Sequence, residues 1–282
     1  MKKLFYLSLL WGIACLFVMP SVTMAWNSGV HIIIAEEVTG LDNLDMAYGS
    51  IVPDMVMYGS NPTAWPNGFW DTHYGYIDLY DFAWGWRQKS FARGWYTHNE
   101  LNGADHYAHI YFPGDVNPFD GGGSTDGYII QKAAALSYLT GVDEMVAHFA
   151  VEAAVDLLVA DNHVSNLGYK LFGAAAFRSW RDIGLLWRVL VVREHVVNTK
   201  TLLDAEANFR DLILKYGLTL VLPAPQNLEA VSHLGAELSA YLFGQPFTAE
   251  EVQLLLEVAM SLCEPDYWFA IQVTIGEMEV GM

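Results

Sequence analysis

Cysteine is nearly missing from this sequence: Cys15 and Cys263 are the only two. If Cys15 leaves with an N-terminal leader, no intrachain disulfide can form, and stability must come from an apolar core or bound metal. Cys263 then reads as a small buried hydrophobe. Positive charge is scarce too, with 14 Lys and Arg against 32 Asp and Glu and a formal charge of −18. Such a surface repels nucleic acid backbones, whose binding depends on Lys and Arg. After residue 26 no apolar run is long enough to span a bilayer, and the most apolar stretch, 185–192, is interrupted by Arg188. Alternating strand pairs, internal repeats and low-complexity linkers are also lacking, which argues against sheet and repeat architectures. Gly121-Gly122-Gly123-Ser124 is a loop, too short for a domain boundary.

What is present begins with Lys2 and Lys3, an apolar run over 4–19, Pro20, and small residues ending at Thr23-Met24-Ala25. This order reads as a secretory signal peptide over 1–25, with Trp26 the mature N-terminus and the protein secreted or periplasmic. An uncleaved anchor is the alternative. Residues 26–282 suffice for one domain with one large core. Helical periods and caps predict an all-α chain, with helices over 28–38, 89–111, 127–139, 144–160, 171–196, 202–218, 226–243 and 248–263. The Gly, Pro and Asn content between 49 and 70 predicts a long irregular loop.

Six of nine histidines (His31, His73, His98, His106, His109, His148) lie in the first half of the mature chain, each near a carboxylate or amide. On a helix over 89–111, His98, Asn102, Asp105 and His109 fall within roughly 60° of one another. Burying such a stripe unpaired is costly, and metal coordination satisfies imidazole and carboxylate together. A solvated polar face is the plainer alternative, but Trp95, Ala104 and Ala108 point to a buried helix. His148 and Glu152 are four apart, so one helical face can offer both to an ion, with Asp156 one turn on to orient an imidazole. A free α-amine on Trp26, with its own carbonyl and His31 five residues on, makes a third donor set. Asp54 and His73 follow, each with an ordinary turn role as the alternative. His163, His195 and His233 read as structural or surface residues.

Taken in order, these pieces resemble the zinc-dependent phospholipase C family and its relatives, the secreted single-strand-specific nucleases. The ligand order in that family reads here as Trp26, His31, Asp54, His73, His98, Asp105, His109, His148 and Glu152. The resemblance spans residues 26 to 156. It implies an all-α, single-domain fold with a metal cluster between helices and up to three zinc ions. By that resemblance, Asp54, His73, His98 and Asp105 hold one ion, His109, His148 and Glu152 a second, and Trp26, His31 and Asp105 a third. Asp54 is the implied catalytic base or water-orienting group. One departure is that the family's bridging Asp stands four residues after the first His of its helix, where this chain has Asn102. Asp105 is the better anionic bridge. The implied activity is metal-dependent phosphodiester hydrolysis, with a phospholipid or other phosphodiester as substrate and peripheral contact to a membrane. Tyr58, Trp65, Phe69, Trp70, Tyr74 and Tyr76 would line a head-group cage or lipid-contacting rim. A nuclease and a non-catalytic metal- or lipid-binding protein are the alternatives. Nucleic acid is disfavoured by the acidic charge, and no feature calls for an obligate protein partner.

Overall fold

The computed structural model describes residues 26–59, 62–75 and 77–281, so the leader over 1–25 and Tyr76 lie outside the described residues. Those residues form helices and loops with no strand among them. The helices are α1 (Ser28–Thr39), α2 (Leu44–Ile51), α3 (Gly85–His98), α4 (Tyr128–Thr140), α5 (Glu144–Asn162), α6 (Leu167–Ala176), α7 (Trp180–Leu186), α8 (Thr199–Leu220), α9 (Gln226–Phe243), α10 (Ala249–Cys263) and α11 (Tyr267–Gly281). A 3-10 segment (Val52–Tyr58) and π-helical turns at Trp70–Tyr74, His106–Ile110 and Trp187–Arg193 complete the chain's main helical pieces.

Local chemistry sets the boundaries. The side chains of Asn43, Asp143 and Asn198 accept from Met46 N, Met145 N and Thr201 N and so cap α2, α5 and α8. Thr248 and Glu251 form a reciprocal capping box at the start of α10. Pro53 opens the 3-10 segment, where its missing N–H costs nothing. The helix α1 is buried without a break from Ser28 to Ala35 and reaches solvent in its last turn, at Glu37. The similarly buried α5 packs against it, against α4 and against α10. Helices α2 and α3 approach at van der Waals limits. A Cβ on Gly49 would lie 2.1 Å from the Phe91 carbonyl oxygen, and one on Gly94 2.1 Å from that of Met46.

Three expectations need correction. The helix predicted over 89–111 ends at His98. Asn99 turns extended there, its Oδ1 accepts from Leu101 N and Asn102 N, and Gly103 N donates to the Asn99 carbonyl. This local side-chain turn competes with the helix and wins. The helix predicted over 171–196 is divided into α6, α7 and a π-helical turn, because Ser179 restarts the chain by accepting from Arg181 N. The 49–70 loop is partly helical, and α2 and α11 are helices the periodicity did not single out.

Candidate metal centre

Four separate stretches converge beside α1 and α5. The helix α1 brings His31, the 3-10 segment Asp54, the π turn His73, and the end of α3 His98. The chain after the Asn99 turn brings Asp105 and His109, and α5 brings His148 and Glu152. None of the eight is more than 7 % exposed. The donors fall into three groups, each with its ligand atoms within 4.8 Å of one another: His31, His98 and Asp105; Asp54, His73 and His98; His109, His148 and Glu152. His98 belongs to two of them.

Backbone and side-chain partners fix how the imidazoles present themselves. The His98 Nδ1–H donates to the Ser50 carbonyl at 2.7 Å, and His73 Nδ1 lies 2.6 Å from Thr72 Oγ1 and 3.2 Å from the Phe69 carbonyl. A carbonyl can only accept, so in the neutral ring the His98 Nε2 carries a lone pair, and it faces the His73 Nε2. Those two Nε2 atoms are 3.1 Å apart, with Asp54 Oδ1 at 3.3 Å from one and 3.4 Å from the other. The Asp105 oxygens reach toward His31 Nε2 at 3.3 Å, His98 Nε2 at 3.4 Å and His73 Nε2 at 3.6 Å. The His109 Nδ1–H donates to Glu100 Oε1 at 2.6 Å, which turns its Nε2 lone pair inward. On α5, His148 Nε2 lies 2.8 Å from Glu152 Oε1. Rings stack as well: His31 on His98 with centroids 4.1 Å apart, and Phe69 on His73 at 3.9 Å.

The residues fit a metal. Both nitrogens of His31, both oxygens of Asp105, His109 Nε2 and Glu100 Oε2 are buried with no hydrogen-bond partner. Buried polar atoms without partners are costly, and lone pairs facing lone pairs repel. A cation placed between imidazole and carboxylate donors removes both costs, and the donor set suits a divalent transition ion. Electrostatics agrees. Burial, then the neighbouring carboxylates of Glu100 and Asp54, push Asp105 well above the usual carboxylate range. Burial and Asp54 do the same to Glu152. Burial pushes Glu100 up to about 7. Burial, then the neighbouring histidines, hold His31 and His109 well below the usual imidazole value. Burial would raise Asp54, but His98 and His73 beside it keep its carboxyl strongly acidic.

Several expected residues take other places. Asn102 is on the surface, donating to the Tyr96 hydroxyl at 3.0 Å, whereas Asp105 is fully buried. The Asn99 turn makes that choice. Trp26 is buried at the entry to α1, stacked on Tyr128 with centroids 5.2 Å apart. Asp156 does not orient an imidazole, which corrects the expectation drawn from its spacing. Its oxygens accept from Gly29 N, Val30 N and the Tyr216 hydroxyl, so it pins the first turn of α1 below His31. His106 donates to the Glu100 carbonyl and joins no donor group. His163, stacked on Trp268 at 3.8 Å, His195 and His233 are exposed. Of the six aromatics expected to form a cage, Tyr58 and Trp65 are buried, and Trp70 stacks on Tyr74 with its ring exposed. Sequence reasoning missed Glu100. Its only signal was a carboxylate two residues after His98, and its role depends on the turn that breaks the helix.

Comparison with known proteins adds nothing to the site: no family model matches the chain, and neither does a curated protein or a solved structure.

Proposed function

We propose that this protein is a zinc-dependent phosphodiester hydrolase of phospholipase C type, exported and matured at Trp26. The observation that carries the reading is the presence of three buried donor groups, two of them joined through His98 and by the reach of Asp105 toward His31, His73 and His98. Asp54, His73 and His98 would hold one ion, His109, His148 and Glu152 a second, and His31 and Asp105 a third, completed by the Trp26 amine and carbonyl. Trp26 supports this through its burial just before the Asn27 cap of α1, five residues ahead of His31. The chemistry zinc supplies in such a cluster is an acidified water and positive charge for phosphoryl oxygens. The protein's own groups position that chemistry. The Ser50 carbonyl aims His98, Thr72 Oγ1 and the Phe69 carbonyl hold His73, Glu100 aims His109, and Asp54, kept ionised, orients the water by accepting its hydrogen bond.

One observation favours the nuclease alternative. Lys89 and Arg93 lie over Tyr80, Arg188 over Trp84 and Arg193 over Phe82, beside exposed Trp84 and Trp86, although Arg87 and Arg193 are already paired with Asp45 and Glu194. Exposed aromatics among cations suit single-stranded nucleic acid as well as a lipid surface. The face starts eleven residues before His98 along α3, about 16 Å from it. The deciding experiment assays purified protein on dispersed choline phospholipid, with one acyl chain or two, and on single-stranded DNA, with zinc and after chelation. The expected result is release of a phosphorylated head group, abolished by chelator and restored by zinc. Cleavage of DNA alone would establish the second reading. Hydrolysis of neither by zinc-replete protein would leave a non-catalytic metal- or lipid-binding protein.

A further inference from the structure

Helices α5, α8, α9 and α10 enclose a cavity of about 300 Å³ that touches the donor cluster. Its polar lining is gathered near that cluster, where Asp54, Glu152, Tyr58, Asn27, Ser28 and Tyr216 contribute. Away from it the walls are aliphatic and aromatic, with Ser239 and Glu251 the exceptions. The Ser239 hydroxyl is already engaged, donating to the Ala236 carbonyl and accepting from Phe247 N. Glu251 is exposed at the α9–α10 turn and occupied by the α10 cap. Half-buried Leu238, Phe243, Phe247 and Val252 line the cavity beside that turn, so its apolar part approaches solvent there. Most helices that meet in a bundle interdigitate without such a void.

We propose that this cavity holds one aliphatic chain of a single-chain amphiphile, with the polar head at the Asp54–Glu152 end and the chain running between α5, α8, α9 and α10. Two features point to that occupant. The sided lining matches a molecule polar at one end, because an alkyl chain gains from leaving water while a head group needs polar partners. The volume matches one chain. A cavity of about 150 Å³ takes a benzene ring, so twice that space takes about twelve carbons and excludes a pair of long acyl chains. The inference deepens the phosphodiesterase reading and rests on it for the head group, since a phosphate at that end is where the donor groups would act.

The test measures binding, separately from turnover. The zinc-replete protein is titrated by calorimetry with hexyl, octyl, decyl, dodecyl and hexadecyl phosphonate, which cannot be hydrolysed. Affinity should rise about fourfold per added methylene up to about dodecyl and then level off. Leu238→Trp and Leu212→Trp fill the cavity from α9 and from α8. Each should flatten the chain-length dependence while hexyl phosphonate binds as before. Affinity that does not change with chain length in the unmodified protein overturns the proposal, whether or not the filled variants fold. Folded variants that keep the full dependence overturn it equally. Hydrolysis of glycerophosphocholine, which has no acyl chain, is measured in parallel. Turnover without chain-length dependence sinks the cavity assignment alone. Chain-length dependence without turnover sinks the hydrolase reading and leaves a lipid-binding cavity.

Discussion

At the scale of single residues, the decisive contrast is between Asn102 and Asp105. Both lie on the stripe that a continuous helix would align, yet one is exposed beside Tyr96 and the other sits among three histidines. Replacing Asp105 with Asn removes the anion from that position, and zinc content measured by atomic emission should fall by at least one ion per chain. Asn102→Ala should leave zinc content unchanged. Glu100 belongs at this scale too, because its carboxylate fixes which His109 nitrogen points inward. Glu100→Gln should weaken metal affinity by about 10–100-fold, the range for partners that orient a ligand, without removing a donor. Competition with a chromophoric chelator reads that change. If Asp105→Asn keeps full zinc while Asn102→Ala loses it, the assignment of donors in this stretch is wrong.

Contacts between elements carry a pH dependence of their own. Asp182 at the start of α7 is buried near Asp45 of α2, and Arg87 of α3 donates to Asp45 from Nε at 2.8 Å and from Nη2 at 2.9 Å. Burial, then the Asp45 carboxylate, push Asp182 from 3.8 up to about 8. A carboxyl whose folded-state pKa is raised binds its proton more tightly folded than unfolded. Its contribution is complete below about pH 3.8 and is lost as pH rises through about 8. Asp182→Asn keeps the shape and cannot ionise. Thermal unfolding of the variant should therefore gain on the parent steadily from pH 5 to about pH 8 and level off above it. A difference in Tm that is constant with pH would show that Asp182 does not titrate in this window.

Over the whole molecule, the donor cluster ties together segments as far apart in sequence as His31 and Glu152. Among the described residues, the donors Asp54, His73 and His109 sit on short 3-10 or π-helical turns rather than on long α-helices. Among the described residues Cys263 is the one cysteine and it is free, so metal is the cross-link that this arrangement offers. Free zinc at 100 times its dissociation constant stabilises a folded state by about 2.7 kcal/mol per site. Chelation should therefore lower Tm by several degrees and increase proteolysis first within 52–110. An unchanged Tm after zinc is verifiably removed would mean that the cluster packs equally well as hydrogen-bonded acids and imidazoles.

The sequence by itself determined the all-α class, because helical periods and caps such as Thr248 and Asp143 are local chemistry. The histidines and carboxylates that meet were legible too, since buried clusters of these types leave few alternatives to mutual pairing or metal. The tertiary structure decided the rest. Whether 89–111 is one helix depended on a side-chain turn at Asn99 outcompeting a helix of good propensity, a balance of small free energies that pattern does not weigh. That break hid Glu100 and separated Asn102 from Asp105. Asp156 had the spacing of a helper on the α5 face, but it serves the first turn of α1 because the two helices cross there. A Cβ on Gly29 would lie 2.6 Å from its carboxylate. The cavity left no trace in the sequence. Leucines and phenylalanines that line a void and those that fill a core follow the same period, and only the spacing of four packed helices tells them apart.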